Sequence, residues 1–329
     1  MALKTGSVRL TELVSCGGCA AKYSAALLQD LVTGLAVDAD PDLLVGLAPS
    51  DDAAVYKLDD DRALVFTLDF FPPIVDDPAT FGAIAATNAL NDIFAMGGTP
   101  LLALSIAAFP ESLPAVAVSA VLAGAAAKVR EAGGVLAGGH TLRDEEPMYG
   151  LAVVGTVRPD AVWTKGGAQV GDDVYLTKPL GTGLLVHAKA DLTDAVRWMT
   201  TLNAETAAVL RLLGPHAVTD VTGFGLVGHA YEVATRSGVE VVLEASALPV
   251  LAGALELAAD GVRTGGDRRN REYVGEALTI DGASEAQVAL AFDPQTAGGL
   301  LVASEPGALD GRATRIGRVA AGVGVRLVG

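Results

Sequence analysis

Cysteine is nearly absent: two in 329 residues, too few and too close together to staple a chain of this length. The four histidines include His187, His216 and His229, which are scattered and show no zinc-ligand spacing. There is no G-x-x-x-x-G-K-[ST] and no G-x-G-x-x-G opening a helix after the first strand, so the common P-loop and dinucleotide folds lose support. Positive charge is scarce. With 23 Lys and Arg against 39 Asp and Glu, the net charge is −16, which argues against nucleic acid, whose binding is led by clustered cations. No apolar run approaches the roughly 20 residues of a membrane span. The Ala- and Val-rich stretch 114–127 soon meets Lys128 and Arg130 and reads as a buried helix. The opening Met1-Ala2-Leu3-Lys4-Thr5-Gly6 lacks the apolar core of a secretory signal, so a cytoplasmic location is expected, with no membrane partner.

Apolar residues make up 51% of the chain, and its length predicts two α/β domains, each with its own core. A strand is expected over 62–68, an Ala-rich helix over 81–96 stopped by Gly97-Gly98, a strand over Leu101 to Phe109, and a helix over about 114–132. The segment 134–140 reads as a strand running into a glycine turn, and 149–157 as a further strand. Residues 158–173, rich in Gly and Pro, read as the boundary between domains 1–157 and 170–329. Beyond it come a strand over 173–177, a turn at 178–183, a helix over 202–213, and turns at 220–225, 264–267 and 293–299.

Both cysteines fall in Ser15-Cys16-Gly17-Gly18-Cys19-Ala20-Ala21-Lys22. Glycines give such a segment unusual conformational freedom, and a nearby ammonium favours the thiolate. A mobile nucleophile, a redox Cys-x-x-Cys pair and a loop with incidental thiols all fit this pattern. Asp51-Asp52, Asp69, Asp92 and Asp220 sit at the edges of apolar elements, where carboxylates can hold Mg²⁺ or act as caps and solvated acids. Asn88 and Asp92 share one helix face. Gly138-Gly139-His140-Thr141 reads as a turn whose backbone N–H groups face an anion.

Taken together, Arg9-Leu10-Thr11, Cys19-Ala20-Ala21-Lys22 and Asp51-Asp52-Ala53-Ala54-Val55-Tyr56 resemble the selenophosphate synthetases, the selenide, water dikinases. So do 67–76, 85–98 and Ala137-Gly138-Gly139-His140, then 176–183, 219–229 and 293–301 further along. The resemblance implies an α/β (α+β) chain with the two-domain aminoimidazole ribonucleotide synthetase-like fold, a flexible Gly-rich N-terminal segment with a mobile loop 15–23, and a homodimer. It implies ATP as substrate with Mg²⁺, and conversion of ATP, selenide and water to selenophosphate, AMP and orthophosphate, with a selenium-delivery protein as a further partner. By the same resemblance Cys19 and Lys22 are catalytic; Asp52, Asp92 and Asp220 hold metal; and Lys22, Pro49, Ser50, Asp51, Asp69, Asp92, Gly139, His140 and Thr141 meet nucleotide. Cys16 has no assigned role, which leaves open a Cys16–Cys19 disulfide that switches activity off. The rival functions are another ATP-using enzyme of the superfamily, of thiamine-phosphate kinase or aminoimidazole ribonucleotide synthetase type, and a non-catalytic nucleotide-binding partner in selenium trafficking. The Cys-x-x-Lys spacing favours the dikinase over the other enzymes.

Overall fold

The computed structural model describes residues 9–14, 31, 40–47 and 50–329. Cys16, Cys19, Lys22 and Pro49 therefore lie outside the described residues. Two mixed sheets organise the rest. The first has six strands, β1 (Leu43–Val45), β2 (Ala54–Lys57), β3 (Ala63–Phe71), β4 (Thr99–Phe109), β5 (Val135–Arg143) and β6 (Met148–Val157), in the order β1-β2-β3-β6-β4-β5. Only β4 and β5 pair in parallel, joined by the Ala115–Glu131 helix; the other neighbours are antiparallel. The second has seven strands, β7 (Asp173–Leu176), β8 (Ala217–Asp220), β9 (Glu240–Glu244), β10 (Leu278–Asp281), β11 (Leu300–Ser304), β12 (Thr314–Ala320) and β13 (Gly324–Val328), in the order β10-β13-β9-β12-β7-β11-β8.

β3 outruns its predicted span by three residues because the alternation continues through Asp69-Phe70-Phe71. Ala63, Val65, Thr67, Asp69 and Phe71 point inward, while Phe66, Leu68 and Phe70 are exposed. The inner face of this sheet receives the Pro78–Ala95 helix. Pro78 at its first position and the Asp77 carboxylate, which accepts from the Thr80 N–H at 2.8 Å, start that helix. Gly97, at φ +75°, ends it. This helix also packs against β8 and against the Thr193–Met199 and Ala204–Leu213 helices, so it is shared by both sheets.

The Ala115–Glu131 helix is less enclosed than its composition suggests. Only Ala117, Val121, Ala125 and Val129 are buried, one stripe at four-residue spacing, and Val116 is 71% exposed. Small residues are needed where it meets its neighbour: a Cβ on Gly82 would lie 1.9 Å from the Val121 carbonyl oxygen, and one on Gly124 would lie 2.0 Å from that of Ala79. The backbones of the two helices touch there, and any larger residue would force them apart.

The segment Gly138-Gly139-His140-Thr141 is not the turn its glycines predict. It lies inside β5, an edge strand, with a bulge in which Ala103 pairs with Leu136 and Ser105 with Gly139. Gly138 and Gly139 have φ of +147° and +154°, and a Cβ on Gly139 would fall 2.2 Å from the Ser105 carbonyl oxygen. The glycines accommodate an extra residue in a ladder that continues past it. Among the described residues, no helix is long and apolar enough to cross a membrane.

Candidate active site

Four of the aspartates predicted for the site are arranged around the helix shared by the two sheets. On β3, Thr67 and Asp69 are two residues apart on the inward face, a rise of about 6.7 Å. On the helix, Asn88 and Asp92 are four apart, a rise of about 6 Å. The matching spacings give two rungs: the Thr67 hydroxyl donates to Asp92 Oδ2 at 2.5 Å, and Asn88 Nδ2 donates to Asp69 Oδ2 at 2.5 Å. Asn88 Oδ1 then accepts the Ala297 N–H at 2.7 Å, which ties the first sheet's helix to the loop before β11. One turn along, Asn91 Oδ1 accepts the Asn203 N–H at 2.9 Å, and Asn203 Nδ2 donates to the Gly298 carbonyl at 3.0 Å.

Asp51 and Asp52 precede β2 and turn inward. The Asp51 carboxylate accepts the N–H of Asp52 at 2.9 Å and that of Lys165 at 3.0 Å, with Arg236 Nη1 at 3.9 Å. Burial first, and then the adjacent Asp52 charge, push it up to about 6. Ser50 is exposed, and its carbonyl accepts from Arg236. Asp52 Oδ1 takes the Thr219 hydroxyl at 3.0 Å and lies 2.9 Å from Lys165 Nζ, whereas its buried Oδ2 has no hydrogen-bond partner among the described residues. Thr219 is the β8 neighbour of Asp220, so the strand end bearing Asp220 abuts Asp52.

Lys165 is fully enclosed between two carboxylates, Asp52 and, at 3.2 Å, Glu232. Burial opposes its charge, but Asp52, Glu232 and Asp51 outweigh burial and hold it above the ordinary ammonium value. Burial likewise opposes the Glu232 charge; Lys165 and then His229 overcome it and bring the carboxyl down to about 2. His229 Nε2 accepts the Thr222 N–H at 3.1 Å, so the ring proton belongs on Nδ1, 3.1 Å from Glu232 Oε2. The histidine is a core residue whose Nδ1 makes no aligned hydrogen bond among the described residues, and its Nε2 fixes the turn after Asp220.

Asp220 is 1% exposed and faces a second buried ammonium, Lys178, which donates to the Thr201 and Ala297 carbonyls at 2.6 and 2.8 Å. Burial drives Lys178 down to about 7, against the pull of Asp220. Gln295 Oε1 accepts the Gly181 and Thr182 N–H groups at 3.1 and 3.2 Å and Nε2 holds Asp293, whose carboxyl burial raises to about 8. Gly139 stands level with Asp69 in the ladder, through Ser105 and Leu151. Two strands lie between them, three strand spacings or about 14 Å, so the 139–141 stretch is at the far side of the sheet from the carboxylates. Gly139 shares the inner face with Asp69, and His140 shares the outer face with Phe70.

Lys165, Lys178, Asn91, Thr219, Glu232 and Gln295 carry no role in the sequence-based assignment. Lys165 lies in the Gly-rich 158–173 stretch that composition marks as a linker, and no local pattern says that a lysine there is buried. Lys178 and Gln295 do belong to long ordered motifs, which was the available signal.

Among the described residues, no group of three or more His, Cys, Asp or Glu side chains is placed to hold a metal ion unaided. Mg²⁺ does not need one: it keeps waters and takes phosphate oxygens with one or two carboxylates. The buried, unpartnered Oδ2 of Asp52 is the kind of hard acceptor such an ion uses, and the donor set fits Mg²⁺.

Residues 50–157 match the AIR synthase related protein N-terminal domain family and residues 169–329 the corresponding C-terminal domain family. The selenide, water dikinase of Pelobacter propionicus is 47% identical over 91% of this chain and 89% of its own. That of Burkholderia pseudomallei is 48% identical over 92% and 88%, and that of Caldanaerobacter subterraneus subsp. tengcongensis 44% over 90% and 88%. Among solved structures, the AaThiL protein complexed with AMPPCP and TMP superposes with a TM-score of 0.69 at 21% identity, covering 98% of this chain and 96% of its own. The thiamine-monophosphate kinase of Stenotrophomonas maltophilia gives 0.62 at 23%, covering 93% and 96%. At those identities the two structures establish the fold alone.

Proposed function

We infer that this chain, which belongs to the selenide, water dikinase family of AIR synthase related proteins, uses ATP to make selenophosphate from selenide and water, releasing AMP and orthophosphate. The observation that carries this reading is identity of 42–48% to dikinases over about nine-tenths of the chain, joined to a seam where Asp52, Asp69, Asp92 and Asp220 come from both sheets. The likeness to thiamine-monophosphate kinases, at 21–23% identity, is one of fold alone. In the reaction a selenium lone pair attacks the γ-phosphorus, a Se–P bond forms and the bond to the β,γ-bridging oxygen breaks, leaving ADP. Water then attacks the β-phosphorus and the second anhydride bond breaks, giving AMP and orthophosphate.

We assign Lys22 to offsetting charge on the transferred group and Cys19 to presenting selenium, by their motif positions. Asp52, Asp92 and Asp220 would hold Mg²⁺, with Ser50, Asp51, Asp69 and the 139–141 strand toward nucleotide. When bound, Mg²⁺ would offset negative charge on the phosphate oxygens. The chain's own part is to fix these carboxylates on rigid elements. Thr67 orients Asp92, Asn88 orients Asp69, and Thr219 with Lys165 orients Asp52, so the acceptors are positioned before substrate arrives. Asp51 accepts one backbone amide on each oxygen, which also holds the Asp52 backbone in place.

A homodimer belongs to the same reading. Tyr56, Phe66, Leu68, Phe70 and Leu104, each 41–54% exposed, make the outer face of the first sheet apolar, and a face of that kind is covered in a stable protein. A second copy seated there would also lie against His140. The cytoplasm, where Cys16 and Cys19 remain thiols, is the matching compartment, and a selenium-delivery protein is the matching source of selenide. Phosphorus NMR under anaerobic conditions, with ATP, Mg²⁺ and selenide, tests the activity. A selenophosphate resonance with AMP and orthophosphate in equal amounts is expected; ADP as the end product, or no selenide dependence, overturns it.

A further inference from the structure

Resting on that reading of Asp52, we propose that Glu232 sets the cation affinity of the site by competing with Asp52 for the single charge of Lys165. Lys165 Nζ stands 2.9 Å from Asp52 Oδ1 and 3.2 Å from Glu232 Oε2. All three side chains are nearly sealed from water, at 6, 5 and 11% exposure, so these charges are weakly screened. Among the described residues, no other lysine or arginine pairs with Glu232. Its remaining neighbour, His229, accepts a backbone N–H at Nε2 and so presents a neutral ring to it. Asp51 also acts on Lys165, but more weakly than Asp52 and Glu232, and its own carboxylate is served by Arg236 and two backbone amides.

The trio Asp52–Lys165–Glu232 therefore carries one net negative charge. Asp52 is the only member of the trio that meets the Asp220 strand end, through Thr219. Its Oδ1 is held and its Oδ2 is left without a partner among the described residues. If Lys165 were paired with Asp52 alone, their charges would cancel and a metal ion would meet a neutral pair. With Glu232 drawing on the same ammonium, the lysine positions Asp52 while leaving it effectively anionic. Glu232 touches neither substrate nor metal, so it is a positioning residue acting through Lys165. Such outer partners commonly change metal affinity by about 10–100-fold.

The test uses the full chain, Mn²⁺ as probe and a non-hydrolysable ATP analogue, with bound Mn²⁺ read by electron paramagnetic resonance. Glu232→Gln keeps shape and hydrogen bonding but removes the competitor. It should weaken Mn²⁺ by about tenfold, with the folded state confirmed by circular dichroism, and Glu232→Asp should recover most of the loss. Lys165→Met combined with Glu232→Gln restores one net negative charge and should bind Mn²⁺ more tightly than Glu232→Gln alone. An unchanged Mn²⁺ affinity in Glu232→Gln, or a double variant no tighter than the single one, overturns the competition while leaving the assignment of Asp52 standing. If Asp52→Asn binds Mn²⁺ as tightly as the wild type, the site reading itself fails, and this inference with it.

Discussion

Beside the Thr219 hydroxyl by which Asp52 meets the second sheet, the seam is ionic, running from Asp52 through Lys165 to Glu232. Where the Pro78–Ala95 helix meets the same sheet, the contact is amide to backbone, Asn88 to Ala297 and Asn91 to Asn203. Both join elements far apart in sequence across a buried interface, but they respond differently to change. Ions buried in pairs cost desolvation and depend on every partner being present. Amides give up less and hold their geometry at any pH. The ionic seam is the adjustable one; the amide seam keeps the carboxylate-bearing helix in register.

The contrast is broken most severely at Lys165. Replacing it by Met leaves Asp52 and Glu232 buried without their cation and should cost about 3–5 kcal/mol, measured by urea denaturation; a loss below 1 kcal/mol would mean that water reaches the pair. Asn88→Leu strands the Ala297 N–H and removes a donor from Asp69, so the amide seam should lose about 2–3 kcal/mol in the same assay. A value matching or exceeding that of Lys165→Met would erase the distinction.

Acid separates the seams further. The folded-state carboxyl of Glu232 is depressed from 4.5 to about 2, so it adds stability above pH 4.5 that is lost as pH falls toward 2. The acid limb of the wild type should therefore include a loss on the order of 2 kcal/mol that Glu232→Gln lacks, and parallel limbs for the two proteins would contradict this. The smallest effect is expected at Asn203, whose Nδ2 holds the Gly298 carbonyl. Asn203→Ala should cost about 1 kcal/mol, and by the same amount at pH 4 as at pH 7, since neither group titrates. A deficit that grows on acidification would show that the amide seam is coupled to the ionic one.

Much of this was present in the sequence because local patterns have local causes. The apolar run 62–68 marked the strand that carries Thr67, though not its extension through Asp69, and the Ala-rich run ended by Gly97-Gly98 marked the helix that carries Asn88 and Asp92. Long ordered motifs carried the family and with it the reaction. The strand spacing of two residues and the helix spacing of four, each near 6–7 Å, even made the pairing of those four side chains a consequence of regular geometry. Local rules failed where the partner was distant. Gly138-Gly139 read as a turn, yet Ser105 on the neighbouring strand leaves room only for glycine and draws the segment into a bulged ladder. Lys165 read as part of a Gly-rich linker, yet Asp52 and Glu232, more than 100 and about 70 residues away along the chain, enclose it as a buried cation. Whether a charge is solvated or buried is settled by what the rest of the chain packs around it, and no window of sequence contains that. The sequence by itself determined the family and the main strands and helices and nominated the carboxylates; the tertiary structure decided which lysine Asp52 shares, because only folding brings Asp52, Lys165 and Glu232 within 3.2 Å of one another.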